Sequence, residues 1–506
     1  MSKKLSKDGF LMGKYVRILC ILIVVIMLFV LSVGCVKVKT EGEKTESKVT
    51  TESTETKSEP EPLKPVKLLW YVRAQTPNNE KNVLEAANKI IGEKINATLD
   101  LQFINSGDFN EKMRMIMSAQ EEYDLAYTAN WANTFSNNVS NGAYIELDDL
   151  LKERKALYNI IPEKIWEALK VNGKTYGVPN YQIMYNETGF WFKKDLIDKY
   201  NIDLSKVKKM EDLTPIYQTI KDNEPDVIPL RAGNASTVFM GDYHPEIDNL
   251  LAVNPKTWEV YDMKPTLMDR YKLMREWYQK GFFPSDVATL KDERPLILEG
   301  KIFSRIVRIK PGVEGELQAS YGYDFVTISA SDKVLNYSGA ASALTGISTT
   351  SKNPERAMML LELTNTDKEL LNLLTYGIEG QDYVKIGTDK IEKKPDSYTF
   401  YAWQLGNQFI AYTLKGQDDS VWEETRKCNE QSIIDPLFGF TFDRTPVENE
   451  VAQLKAIRTN FDDIMNNGLT DPEEAMADRT QQMKAAGIDK VIAEMKKQVD
   501  AWRQSK

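Results

Sequence analysis

Apolar residues fall into short runs separated by helical patterns, most regularly between Val66 and Asn130. Val66-Lys67-Leu68-Leu69-Trp70-Tyr71-Val72 stops at a polar loop, Arg73-Ala74-Gln75-Thr76-Pro77-Asn78-Asn79. A helical period follows, with Val83, Leu84, Ala87, Ile90 and Ile91 on one side and Glu80, Lys81, Glu85 and Lys89 on the other. Thr98–Ile104 predicts a second strand, Phe109–Gln120 an amphipathic helix carrying Met113, Ile116 and Met117, and Tyr123–Thr128 a third strand. This alternation predicts right-handed crossovers and a parallel sheet. Ligands of such sheets collect beyond the carboxyl ends of the strands. Those ends are Arg73–Asn79, Asn105–Asp108 and Ala129–Thr134; all are rich in amides and hydroxyls, and the third adds Trp131.

Beyond Trp131, Asn141–Leu151 turns into helical stretches, and Pro162 opens Glu163–Leu169. Val171–Pro179 carries Asn172-Gly173 at its turn and predicts a hairpin. Asn180–Asn186 with Phe190–Leu196 predicts the crossing into a second lobe. Leu267–Lys280 predicts an amphipathic helix closed by Gly281, and Lys301–Ile309 and Tyr323–Ile328 predict strands. The small residues of Asn336–Ile347 predict a return crossing, and Asn353-Pro354-Glu355 starts a helix through Leu361. Tyr398–Ile410 holds a dense aromatic and amide cluster. The tail is helical, with Val451, Leu454, Ile457, Phe461 and Ile464 in phase, a break at Asn467-Gly468 and a restart at Asp471-Pro472.

A chain of 506 residues is too long for one core. With 42% apolar and 27% charged residues it is neither collagen-like nor disordered throughout. The formal charge is -9; residues 1–34 hold five Lys/Arg and one Asp, +4, so a chain cut before Cys35 carries -13. That balance argues against nucleic acid as a partner. The single histidine, His244, excludes a His-rich metal site and is read as a loop residue. The three cysteines supply no disulfide framework: Cys20 and Cys35 lie at the N-terminal apolar run and Cys428 far away. Cys428 is read as a buried small hydrophobe, with a reactive thiol the alternative. No G-x-x-x-x-G-K-[ST], G-x-S-x-G or H-E-x-x-H occurs.

Lys3, Lys4, Lys7, Lys14 and Arg17 precede the apolar run Ile18–Val33, the order of an export signal. A retained signal anchor is the alternative, although spanning needs about 20 residues. Gly34-Cys35 resembles the lipobox of bacterial lipoproteins, in which the cysteine is lipidated. Here Leu31 stands one place further out than the family's leucine and Ser32 takes its position. Thr40–Pro65 has too little apolar content to bury a core, so residues 35–65 are expected to be a disordered tether, reaching roughly 30 Å or more.

Tyr123–Leu151, Tyr176-Gly177-Val178-Pro179, Asn353–Ala357, Tyr376–Gly380 and Trp403–Gln408, in that order, resemble an extracellular solute-binding protein of family 1, the receptor of an ABC importer. Phe438–Asp443 with Pro446-Val447-Glu448 is similar to the Gram-positive lipoprotein branch that ends in an uncharacterised helical domain. The resemblance covers Val66 to Trp502. It implies an α/β, periplasmic-binding-protein-like (type II) fold: two α/β lobes joined by a hinge, a ligand cleft between them, and a helical C-terminal extension. The expected partition is 1–34 signal peptide, 35–65 tether, 66–180 first lobe with a return segment near 340–395, and 181–335 second lobe. Residues 396–506 are expected to face the cleft and then pack on the second lobe as helices. The resemblance also implies a permease and an ATPase as partners, a lipid anchor at the outer face of the membrane, a monomer, no cofactor, no metal and no catalysis.

Many relatives bind sugars, which need amides and carboxylates for hydroxyl edges and rings for C–H faces. Asn130 with Trp131, Tyr181 with Gln182, Tyr337, and Trp403 with Asn407 put such groups at loops or crossings, and Glu379 adds an acceptor. The chain holds 9 Trp, 23 Tyr and 18 Phe, so most aromatic residues must be core, and each of these competes with that role. A peptide receptor for the same kind of importer, a tethered glycoside hydrolase using two carboxylates and a purely structural surface protein are the alternatives.

Overall fold

The computed structural model describes residues 63–231, 238–290 and 293–505. Twelve strands form its two main sheets and the strands between them. They are β1 Val66–Arg73, β2 Ala97–Ile104, β3 Leu125–Thr128, β4 Val178–Pro179, β5 Tyr185–Asn186, β6 Thr188–Lys193 and β7 Ile228–Arg231, then β8 Ile302–Arg308, β9 Phe325–Ser329, β10 Val334–Leu335, β11 Leu344–Ile347 and β12 Ile433–Ile434.

The first sheet has the order β2-β1-β3-β11-β4. Alternation in β1 buries Leu68, Trp70 and Val72 completely. The helix Glu80–Ile95 turns Val83, Ala87, Ile91 and Ile95 onto the sheet, four residues apart. Each such valine, leucine or isoleucine contributes about 1.5–3 kcal/mol when fully buried. The expected parallel order holds for β1 against β2 and β3, in the registers Val66↔Ala97 and Trp70↔Leu125. The sheet as a whole is mixed, because β11 returns from the second sheet and runs antiparallel to both β3 and β4. Tyr123 and Asp124 precede the third strand; the Asp124 carboxylate accepts the Leu69 N–H at 2.9 Å.

The second sheet, β9-β6-β8-β7, has its own core, including Phe190, Phe192, Tyr217, Trp277 and Phe303. Two segments connect it with the first sheet, 180–187 outward and 330–343 back. Within them β5 and β10 pair antiparallel, and β12 joins β10 in parallel, making a small sheet β12-β10-β5. Gly339 is required here: a Cβ on it would stand 1.9 Å from the Met184 carbonyl oxygen. The predicted hairpin at Val171–Pro179 is a single bridge, Val171 to Lys174, turned by Asn172 (φ 51) and Gly173 (φ 75).

The tail forms three helices, Glu448–Asn466, Pro472–Ala485 and Ile488–Gln504. Asp471 caps the second by accepting the Glu473 and Glu474 N–H groups. Val451, Leu454, Met483, Val491, Met495 and Val499 share a core with Leu251 and Val253, and Phe461 and Met465 share one with Leu267 and Tyr271. No described helix is long and apolar enough to cross a membrane. Cys20 and Cys35 lie outside the described residues.

Candidate ligand-binding site

The carboxyl ends of β1 and β3 lie side by side, and the loop after β3 is stitched tightly. Asn133, held at φ 46, donates its amide to the Tyr127 carbonyl at 2.9 Å, Ala129 donates to the Ala132 carbonyl at 2.9 Å, and Phe135 donates to the Ala129 carbonyl at 2.9 Å. This turn presents Trp131 outward, with 48% of its surface exposed. Its indole N–H donates to the Ser342 carbonyl on the return crossing at 2.9 Å, which fixes the ring. Trp403, on the short helix Ala402–Leu405, lies 6.4 Å from Trp131 between ring centroids and 5.8 Å from Tyr127. Tyr401, also 48% exposed, continues the row 5.4 Å from Trp403 at an interplanar angle of 34°. Trp131, Trp403 and Tyr401 thus form one aromatic platform over the buried Tyr127, exposed at its two ends and half-buried at Trp403.

Polar groups border it. Asn130 donates its amide to the Ser338 hydroxyl at 2.9 Å and its backbone N–H to the Ala341 carbonyl at 2.8 Å, while its side-chain oxygen has no partner. Gln182, on the outward crossing, donates to the Ser342 hydroxyl at 3.2 Å. Asn180, 1% exposed, donates to the Trp403 carbonyl at 3.0 Å, and its side-chain oxygen is also unpartnered. The two crossings and the β3 loop therefore meet at Ser342.

Of the predicted residues, Asn130, Trp131, Gln182 and Trp403 are brought together. Tyr337 starts the short helix Tyr337–Ala340 beside them, half-buried, with burial pushing its phenol up to about 12. Tyr181 is turned inward, its ring 4.6 Å from Phe409. The Asn407 side chain is fully used, accepting the Phe409 N–H at 3.0 Å and donating to the Asn365 carbonyl at 3.2 Å. Glu379 stands exposed on a turn and pairs with Lys385 at 2.9 Å. His244 shares a hydrogen bond with the Tyr261 hydroxyl at 2.7 Å. Cys428, expected to be buried, is partly exposed, because its helix Val421–Gln431 buries Val421, Thr425 and Asn429 instead.

Sequence reasoning missed Arg73, Tyr401, Ser338, Ser342 and Gln404. Arg73 is the last residue of β1, a strand end already marked for ligands, and Tyr401 lies inside the marked aromatic cluster. The Arg73 guanidinium sits 4.9 Å over the Trp131 ring. Burial raises the Tyr127 phenol, and the nearby Arg73 charge opposes that shift. Among the described residues no group of His, Cys, Asp and Glu could hold a metal ion. A concavity of about 440 Å³ among Lys155, Tyr158, Trp166 and Lys170 lies on the helical flank and includes none of the platform residues.

A mixed sheet whose last strands return from a second sheet, with a ring platform at its strand ends, is the construction of a solute-binding protein. The family model described as bacterial extracellular solute-binding protein matches residues 79–273, and a domain of unknown function, DUF3502, matches residues 436–504. The chain belongs to the bacterial extracellular solute-binding proteins. It is 32% identical over 469 residues to a carbohydrate ABC transporter substrate-binding protein of Streptococcus pneumoniae serotype 4 (strain ATCC BAA-334 / TIGR4), covering 88% of this chain and 92% of that protein. Its structure is similar to the crystal structure of the N-glycan transport solute binding protein NgtS from Streptococcus pneumoniae, with a TM-score of 0.79 and 30% identity over 86% of this chain and 98% of that one. The complex of NgtS with Man1GlcNAc gives a TM-score of 0.73 at 29% identity, covering 86% and 99%. These relatives are binding proteins of transporters rather than enzymes.

Proposed function

We propose that the chain captures an oligosaccharide outside the cell and delivers it, unaltered, to the permease of an ABC importer. The observation that carries this reading is the platform of Trp131, Trp403 and Tyr401 beside the ends of β1 and β3, its Trp131 and Tyr401 rings exposed, bordered by amides and hydroxyls. Rings of this kind stack on sugar C–H faces, and Asn130, Gln182 and the crossing serines suit hydroxyl edges. Tyr337 borders the ligand, Tyr181 and Asn407 shape the floor beneath it, and Glu379 is an acceptor at the margin. The carbohydrate named for the pneumococcal relatives supports the same ligand class.

In this reading 66–180 with roughly 340–395 forms one lobe, 181–335 the other, and 396–506 lines the cleft and braces the second lobe. Ligand contacts made to both lobes exist only in the closed form, so binding shifts the population toward closure, which the permease reads. A lipid on Cys35 and the 35–65 tether hold the monomeric receptor at the membrane, and an ATPase on the inner side drives transport.

Calorimetry and thermal shift of the full chain against mono- and oligosaccharides, including Man5GlcNAc, and against peptides test the proposal. Binding of at least one glycan, recovered intact after incubation, is expected. A peptide response without any glycan response defeats the carbohydrate reading, and cleaved sugar defeats the receptor reading.

A further inference from the structure

Among the described residues Arg73 is the one cation stacked on the platform, and its surroundings leave its charge unanswered. Its backbone is locked by the fully buried Gln404 side chain, which accepts the Arg73 N–H at 3.0 Å and donates to the Arg73 carbonyl at 2.9 Å. Its guanidinium lies 4.9 Å over Trp131, half-buried. Among the described residues that guanidinium makes no ion pair and no side-chain hydrogen bond. Elsewhere half-buried guanidinium groups are answered, Arg154 by Glu362 at 3.3 Å, Arg305 by Glu293 at 2.6 Å and Arg458 by Asp462 at 3.1 Å, and Arg270, Arg275 and Arg308 by backbone carbonyls. Even the fully buried Arg479 is matched by Asp262.

The geometry points to Arg73 as a specificity residue that receives a carboxylate on the bound glycan, so that the site favours acidic oligosaccharides such as uronate- or sialate-bearing chains. This rests on the carbohydrate reading above and narrows it. A guanidinium offers a planar fork of N–H donors that matches a carboxylate in two parallel bonds. Stacking on an indole leaves the rim of that fork, where those donors lie, free for a ligand packed on the neighbouring rings. Locking the Arg73 backbone through Gln404 removes part of the ordering cost that an arginine on a mobile loop would carry on binding. The body is acidic overall, but screening within about 8 Å at physiological salt confines that repulsion, so the local cation decides.

The test uses the full chain and matched probes: a trigalacturonate against its carboxyl-reduced trimer, and a sialylated N-glycan against the same glycan after sialidase. Calorimetry on wild type is expected to show an acidic member bound at least about tenfold more tightly than its neutral partner, with the difference shrinking as salt is raised. Arg73→Gln should lose much more affinity for the acidic member than for the neutral one, so that the preference disappears. Arg73→Lys, which keeps the charge and loses the fork, should retain part of it. Equal affinity of wild type for both members of both pairs overturns the inference and leaves the carbohydrate reading standing. Equal loss of both members in Arg73→Gln, with an unchanged melting temperature, also overturns it by making Arg73 part of the general platform. Failure of every glycan to bind wild type overturns both readings together.

Discussion

The side chain of Gln404 grips the backbone of Arg73 at both of its polar atoms, 331 residues away in sequence, accepting the N–H at 3.0 Å and donating to the carbonyl at 2.9 Å. The aromatic segment that carries Trp403 is thereby riveted to the end of β1 as an extra strand would be. Gln404→Ala leaves a backbone donor and an acceptor unpaired in a buried position, a penalty on the order of 1–3 kcal/mol. The expected outcome is a melting temperature lower by a few degrees together with weaker glycan binding, read by calorimetric unfolding and titration. Gln404→Glu should be no better, because a carboxylate cannot donate to the carbonyl. Unchanged stability and affinity in both variants would remove the rivet from the argument.

Trp131 and Asn407 separate binding from framework. Trp131 is 48% exposed, so Trp131→Ala forfeits only part of what a core tryptophan would, while its loss from the platform should cost more than about 1.4 kcal/mol in binding, tenfold or greater. Asn407→Ala strands the Phe409 N–H and the Asn365 carbonyl, and should lower stability by about 1–3 kcal/mol while affinity of the folded protein changes little. Paired melting and titration curves check both. The opposite pattern would exchange their roles.

What the sequence disclosed follows from how locally each feature is encoded. Strands β1 to β3 and their helices were legible because alternation and a 3.6-residue period are visible within one element, and the tail helices carry proline and aspartate starts. The return crossing was legible as a small-residue segment and the outward one as the amide- and aromatic-rich stretch Asn180–Asn186 before Phe190–Leu196. Strands β5, β10 and β12 are two residues each and exist through pairing with distant partners, so no local pattern announces them. The antiparallel entry of β11 between β3 and β4 is likewise a property of chain path. At the candidate site, Trp131 and Trp403 could be marked because each stands beside an amide at a predicted loop or crossing, and the fold brings their rings to 6.4 Å. Tyr181 has the same composition but points inward, toward Phe409, and direction was invisible. Arg73 was passed over since a lone arginine says nothing until the ring beneath it and the absence of a carboxylate partner are seen.

Asp435 predicts a pH response at the small sheet between the two main ones. It follows β12, is buried, and accepts the Tyr243 hydroxyl at 2.9 Å and the Leu437 N–H at 2.7 Å. Tyr243 in turn lies 3.5 Å from the Asn336 amide, so the carboxyl reaches the return crossing. Burial outweighs both hydrogen bonds and raises its pKa above the usual carboxylate range. A carboxyl raised in the folded state favours folding while protonated; that contribution is full below its unfolded pKa, near 3.9, and is lost as pH rises through the folded value. Asp435→Asn keeps an acceptor without charge. It should therefore be more stable than wild type at neutral pH, with the gap closing as pH is lowered toward 4. Melting curves of both proteins across that window decide the matter, and a gap that widens on acidification would reverse the sign and refute the assignment.

Gly339 sets how closely the two crossings can approach. Added at that position, a Cβ would meet the Met184 carbonyl oxygen at 1.9 Å and its carbon at 2.9 Å, backbone atoms that cannot turn aside as a side chain can. Gly339→Ala must push β5 away from the return helix Tyr337–Ala340, straining the pairing of Tyr185 with Leu335 and of Asn186 with Val334. Overpacking of this kind costs roughly 1–3 kcal/mol. Because Ser338 and Ser342 flank the same turn, the displacement should also shift the anchors of Asn130, Trp131 and Gln182 and weaken glycan binding. Gly107→Ala is the matched control, since nothing lies within 4 Å of the added methyl, and it should be neutral or stabilise by up to about 1 kcal/mol through the unfolded chain. Chemical denaturation and titration of the two variants side by side test the claim: equal stability and equal affinity would mean that the crossings yield without cost, and the close approach would carry no functional weight.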